Sequence, residues 1–228
     1  MNKPENNERK RELQNIKTVL FDLDDTLLDR ATTFSRYCDH LISTLFPAGM
    51  SNTEKNKKKE FLILHDKSGY ENKEVFYQKV IQHWNLSCTV AHLVQKWSDS
   101  FTKFSMPVKD LLEILEYLSS KYTLGIVTNG STSMQNRKID ALGIRPFFQA
   151  IIVSGAVGIK KPDKGIFLLA CKSLNTDASE AVFIGDNYEN DFIGAKQAGL
   201  QAIWLNQFLT DDDSQYTIKN LASLRYLL

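Results

Sequence analysis

The stretch Thr18-Val19-Leu20-Phe21-Asp22-Leu23-Asp24-Asp25-Thr26-Leu27 decides the fold. Val19, Leu20 and Phe21 read as a short buried strand, and the apolar run ends abruptly in three carboxylates. In open parallel α/β sheets, ligands bind outside the carboxyl ends of the strands. Like charges this close repel: at ~4 Å and an effective dielectric of ~20 a pair costs about 4 kcal/mol. A hard cation such as Mg²⁺ is the agent best suited to hold them together.

Working outward, the chain from about Leu124 alternates strand and helix. Leu124 to Val127, Ala150 to Val153, Ala181 to Ile184 and Leu200 to Leu205 read as strands, the last of them final. Between them, Ser131 to Leu142 reads as a helix capped by Gly143, Lys164 to Leu174 as a second, and Tyr188 to Ala198 as a third stopped by Gly199. This spacing implies βαβ units. The fold class is therefore α/β, a doubly wound, Rossmann-like parallel sheet with helices on both faces.

Residues 29 to 106 differ. Helical periodicity dominates, with polar breaks at Gly49–Lys59 and Ser68–Asn72. The segment reads as a bundle of three or four helices, roughly 75 residues, large enough for a small core of its own. Residues 15–28 and 107–228 then form the main domain, with 29–106 a separate helical unit and 1–14 a frayed, polar N-terminus. Val108, Leu111, Leu112, Leu115 and Leu118 mark an amphipathic helix leading back into the sheet. Within the bundle, Lys57 to Lys59 read as a solvated helix end, Trp97, Phe101 and Phe104 as a core stripe, and Gly69-Tyr70 as an interhelical turn or a loop reaching a ligand. Asp211–Asp213 reads as an exposed loop.

Composition narrows the function classes. The 228 residues are 43% hydrophobic and 24% charged with a net charge of +1, which gives no bulk attraction to nucleic acid or to an anionic membrane. No apolar run approaches the ~20 residues of a membrane span, and no secretory signal precedes Thr18. Cys38, Cys88 and Cys171 fit neither a disulfide framework nor zinc spacing, so a reduced, cytoplasmic setting is expected. All four histidines, His40, His65, His83 and His92, precede residue 93, and no G-x-S-x-G, P-loop or G-x-G-x-x-G occurs.

Three further polar sites fall at ends of the expected strands. Thr128-Asn129-Gly130 offers a hydroxyl, an amide and backbone N–H groups at a helix start, which suits an anion. Gly158-Ile159-Lys160-Lys161-Pro162-Asp163 places lysines in a loop before a helix. Gly185-Asp186-Asn187-Tyr188-Glu189-Asn190-Asp191 puts one acid at a strand end and another in the first turn of the next helix.

In this order the four sites resemble the motifs of the haloacid dehalogenase superfamily of phosphohydrolases: Asp22-Leu23-Asp24-Asp25-Thr26, Thr128-Asn129, Lys161-Pro162-Asp163, and Gly185-Asp186 through Asp191. Gly194-Ala195-Lys196-Gln197-Ala198-Gly199 resembles the helix after the last motif, and the likeness runs over about residues 15 to 205. Residues 29–106 match the family's α-helical cap between the first and second motifs. A departure is Lys164, where relatives carry proline.

The resemblance implies a Mg²⁺-dependent phosphomonoester hydrolase working through an aspartyl-phosphate. Asp22 would be the nucleophile, and Asp24 the general acid and then base, its pKa raised by neighbouring carboxylates. Mg²⁺ would be held by Asp22, Asp186 and the backbone carbonyl of Asp24, with Asp191 and Thr26 in support. Thr128, Asn129 and Lys161 would grip the phosphoryl oxygens. Asp24 disfavours dehalogenation, since halide needs no proton. A phosphomutase, a phosphonatase or a non-catalytic binding member are the alternatives. The implied partner is a small phosphorylated metabolite, of the nucleoside monophosphate or sugar phosphate class, with no nucleic acid or membrane, in a monomer or homodimer.

Overall fold

The apolar runs assemble into one sheet. In the computed structural model, which describes residues 13–46, 48–208 and 216–228, six strands are all parallel: β1 (Thr18–Phe21), β2 (Thr123–Thr128), β3 (Ala150–Val153), β4 (Ala181–Gly185), β5 (Gln201–Leu205) and β6 (Thr217–Ile218). Their order is β3-β2-β1-β4-β5-β6. The order reverses between β1 and β4, and this switch point is where a doubly wound sheet opens a crevice at its carboxyl edge. β1 lies at that point with Phe21 in register with Ile184. The chain leaving β1 at Asp22 therefore emerges beside the chain leaving β4.

Period-two alternation explains the layers. Val19 and Phe21 face one side with Leu124, Ile126, Val182 and Ile184, under α5 (Leu111–Ser119) and the C-terminal 3₁₀ turns Leu221–Tyr226. Leu20 and Phe183 face the other side, under the helix Lys164–Ser173 and Ala195. α6 (Thr132–Leu142) follows β2, with Ser131 capping its start and Gly143, at φ 69°, ending it. α7 (Ser154–Val157), α8 (Lys164–Ser173) and α9 (Gly194–Gln197) complete the crossovers.

Between β1 and α5 the described residues form four α-helices: α1 (Arg30–Leu45), α2 (Asn52–Asp66), α3 (Lys73–Trp84) and α4 (Val90–Ser100). They close around their own core, in which Phe34, Tyr37, Leu41, Leu62, Phe76, Tyr77, Val80 and Leu93 are buried.

Several readings from sequence change. The sheet does not end at Leu205: Thr217–Ile218 adds β6, too short to show a pattern. The segment Gly49–Lys59 is not a break throughout, because Ser51 and Glu54 form a capping box that starts α2 at Asn52. Lys57 to Lys59 thus lie within α2, where Lys58 covers the Phe46 ring at 3.9 Å and Lys59 pairs with Asp39 at 2.8 Å. The helix from Tyr188 begins as a π turn, Tyr188–Ile193, before α9. Val108 precedes α5 rather than opening it, and Phe101–Phe104 forms a 3₁₀ turn in which the aromatic stripe still packs on the bundle core. Asp211–Asp213 and most of Asn2–Gln14 lie outside the described residues. Among the described residues no helix is long and apolar enough to cross a membrane.

Candidate active site

Three carboxylates meet at the switch point. Asp22, from the end of β1, Asp186, just past β4, and Asp191, in the π turn, each bring an oxygen within 4.8 Å of the others. Strand pairing sets the first two, since the Asp22 N–H donates to the Ile184 carbonyl at 2.9 Å. Gly185 admits the third: a Cβ there would stand 2.3 Å from Asp191 Oδ2. The Asn187 N–H then donates to that same oxygen at 3.0 Å, and the Asn187 side chain accepts from the Asn190 N–H at 2.9 Å, so the turn holds Asp191 over the strand end.

One cation answers these acids. Lys161, 3% exposed, places Nζ 2.5 Å from Asp22 Oδ1 and 2.7 Å from Asp191 Oδ1. Its loop between α7 and α8 carries a cis Lys161–Pro162 bond and is fixed by Asn129, whose amide donates to the Lys161 carbonyl at 3.0 Å and accepts from its N–H at 2.9 Å. Burial opposes charge on Lys161, but Asp22 and Asp191 outweigh it and hold the ammonium above its ordinary pKa. Asp22 is pushed up to about 7, first by burial and also by Asp191, against the pull of Lys161. Asp186 rises to about 8 through burial and the charges of Asp22 and Asp191.

These residues fit a hard divalent cation. The donors are all carboxylate oxygens, the choice for Mg²⁺. Asp186 takes a long 3.5 Å bond from the Thr26 hydroxyl, and among the described residues no basic side chain pairs with it. Three acids against one lysine leave negative charge that a cation would balance. Asp191 therefore joins Asp22 and Asp186 in the carboxylate cluster, where the sequence placed it in support, and the Asp24 side chain does not.

The cluster opens into a cleft of about 950 Å³ between the sheet edge and the helical bundle, bordered by Asp24, Arg30, Tyr70, Lys73, Trp97 and Lys138 among others. With four chemical sites in this order on this sheet, a model of haloacid dehalogenase-like hydrolases matches residues 19–205. The chain belongs to the haloacid dehalogenase-like hydrolase family. It is 30% identical over 216 residues to a glyceraldehyde 3-phosphate phosphatase of Methanothermobacter thermautotrophicus, covering 90% of this chain and 92% of the relative. It is 27% identical to the human N-acylneuraminate-9-phosphatase, covering 86% and 84%. The HAD-hydrolase YfnB from Bacillus subtilis shares the fold with a TM-score of 0.73 at 24% identity, over 93% of this chain and 98% of that one.

Within this haloacid dehalogenase-like hydrolase, the second acid of the first motif departs from expectation. The sequence reading gives Asp24 a raised pKa from its carboxylate neighbours. Burial does push it up, but the Lys138 ammonium, with bonds from Lys138 and Gln135, outweighs that and holds Asp24 below its ordinary value. Lys138 Nζ lies 2.7 Å from Asp24 Oδ1 and 2.8 Å from Oδ2, and Gln135 Nε2 donates to Oδ2 at 2.9 Å. The residues expected to grip phosphate also differ from a simple array of donors. Thr128, 1% exposed, accepts from Gln135 Nε2 at 2.7 Å, while the Asn129 amide is committed to the Lys161 backbone.

Lys138 and Gln135 were missed because α6 reads as an exposed polar helix. Its sequence did hold one signal: Met134, Ile139 and Leu142 are too few to cover a buried face, so polar side chains must share it. Arg30 and Lys73, which flank the buried Asp66 at 2.5 Å each, were missed as well. Their spacing from Asp66, 36 and 7 residues, carries no local pattern. Tyr70 does reach the sheet domain: its hydroxyl accepts from Asn187 Nδ2 at 2.8 Å, beside Asp186.

Proposed function

We propose that this protein is a Mg²⁺-dependent phosphomonoester hydrolase that acts through a phosphorylated Asp22 on a small phosphorylated metabolite of the sugar phosphate or nucleotide class. The observation that carries the proposal is the buried Asp22–Lys161–Asp191 arrangement at the switch point, beside Asp186 and open to a cleft that also presents Asp24. The names of the phosphatase relatives support the class, and two of them point to phosphorylated carbohydrate derivatives.

The chain's own groups perform each step. Asp22 Oδ2 attacks phosphorus in line; an Asp22 O–P bond forms as the ester P–O bond breaks. The arriving phosphate dianion raises the proton affinity of Asp24, which takes a proton from solvent and delivers it to the departing alkoxide. Asp24 then takes a proton from water as that water attacks phosphorus, the Asp22 O–P bond breaks, and inorganic phosphate leaves. Lys161 lies against Asp22 and balances charge that builds on the phosphoryl oxygens. Thr128 and Asn129 act here mainly by setting Gln135 and the Lys161 loop. Mg²⁺ in the Asp22, Asp186 and Asp191 cluster, with the Asp24 carbonyl in the family's ligand set, would neutralise the phosphoryl charge facing these acids. Residues 29–106 serve as the cap that excludes water and selects the leaving group, the main domain being 15–28 and 107–228.

Steady-state hydrolysis of para-nitrophenyl phosphate and of a panel of sugar phosphates and nucleotides, with Mg²⁺ and with EDTA, tests this reading. Turnover that requires the metal and is lost in Asp22→Asn is expected. Turnover that persists in Asp22→Asn would overturn the covalent route.

A further inference from the structure

Resting on the phosphatase reading, we propose that Lys138, paired with Gln135, is the positioning group for Asp24: it aims the acid–base carboxylate at the ester oxygen and couples it to Thr128. The geometry is a closed ring of bonds. Lys138, 7% exposed, directs Nζ to both Asp24 oxygens at 2.7 and 2.8 Å and to Gln135 Oε1 at 2.8 Å. An ammonium has three protons, so all of its donors are engaged. Gln135, 2% exposed, uses both amide hydrogens, on Asp24 Oδ2 at 2.9 Å and on Thr128 Oγ1 at 2.7 Å. Asp24 is thereby fixed in plane by three bonds, although it stands on a loop and its side chain is 25% exposed.

Burying an ammonium against a part-exposed carboxylate contributes little net stability, because desolvation offsets the attraction. The Arg30–Asp66–Lys73 triad has an evident structural task, joining α1, α2 and α3 beside the cleft. Lys138 instead spans 114 residues to Asp24, a carboxylate outside the Asp22, Asp186 and Asp191 cluster. Without Lys138, Asp24 would keep only the Gln135 bond to Oδ2 and lose the hold on Oδ1. Lys138 sets the direction of proton transfer and not its supply; the proton passes between Asp24 and the ester oxygen.

Leaving-group dependence separates positioning from a structural effect. A nitrophenolate departs without a proton, whereas an alkoxide needs one from Asp24. The experiment compares kcat/KM, which reports phosphorylation of Asp22 and not the later hydrolysis shared by all esters, on para-nitrophenyl phosphate and on the alkyl phosphate that the wild type hydrolyses fastest, in Lys138→Met, Lys138→Arg, Asp24→Asn and the Lys138→Met/Asp24→Asn double variant. The alkyl-to-aryl ratio should fall about ten- to a hundred-fold in Lys138→Met, recover in part in Lys138→Arg, and show no further fall when Lys138→Met is added to Asp24→Asn. An equal loss on both esters, or a multiplicative loss in the double variant, would overturn the proposal. If Lys138→Met fails to give a cooperative thermal melt, Gln135→Leu, which removes the Asp24 and Thr128 bonds, reads the same ratio. Wild-type protein that hydrolyses neither ester would refute the phosphatase reading itself, and this one with it.

Discussion

Replacing Asp186 by Asn should stabilise the metal-free protein, and by an amount that depends on pH in a calculable direction. Asp186 titrates at about 8 in the folded chain against 3.8 for an unperturbed aspartate, raised by burial and by Asp22 and Asp191. A raised acid favours folding less as it ionises: the unfolded chain releases this proton from about pH 4 upward, the folded chain only near pH 8. Wild-type stability therefore falls as pH rises across that window, at up to about 1.4 kcal/mol per unit. Between about pH 5 and about pH 8 the loss from this one carboxyl is on the order of 3 kcal/mol. The asparagine variant lacks it. In a chain of this size ~3 kcal/mol corresponds to roughly 6–12 °C in Tm. Thermal melts of wild type and Asp186→Asn in EDTA should thus diverge in favour of the variant near pH 8 and converge toward pH 5. With saturating Mg²⁺ the order should reverse, because the wild type then gains the binding free energy. A variant no more stable than wild type at pH 8, or an advantage equal at both pH values, would refute the reasoning.

Other outcomes follow from the same geometry. Lys161→Met should abolish turnover and destabilise the protein by about 3–5 kcal/mol, by leaving Asp22 and Asp191 buried without their countercharge; chemical denaturation measures it, and Mg²⁺ should restore part of the loss. Gly185→Ala should lower kcat and Mg²⁺ affinity together, since its Cβ would meet Asp191 Oδ2 at 2.3 Å; calorimetric titration of Mg²⁺ checks the second. Leu115→Ala, fully buried under the sheet, should cost about 2–5 kcal/mol and leave KM unchanged in the folded fraction.

The sheet was legible because each interior strand is a short apolar run closed by polar residues, as in Val19–Phe21 and Ala181–Ile184, and because glycines mark helix ends, as at Gly143. Sites at strand ends were legible for the same reason: parallel topology converts sequence order into spatial convergence, so Asp22 and Asp186 had to emerge side by side. Thr217–Ile218 was not, because two residues show no periodicity. The start of α2 was hidden in a polar run whose signal was the Ser51/Glu54 capping pair rather than hydrophobicity. The environment of Asp24 was the larger miss. Local sequence shows only its carboxylate neighbours, whereas its actual partner, Lys138, arrives from another crossover and reverses the sign of the pKa shift.

A covalent phosphoryl group on Asp22 underlies every step assigned here. Mixing enzyme with Mg²⁺ and para-nitrophenyl phosphate, whose leaving group needs no proton from Asp24, quenching in acid within one turnover and taking the intact mass would reveal it. The mechanism predicts the mass increment of one phosphoryl group, mapped to the peptide containing Asp22, absent in Asp22→Asn and accumulating when Asp24→Asn slows the attack of water. A turning-over enzyme that shows no such increment in either background, or carries it on a residue other than Asp22, would contradict the mechanism.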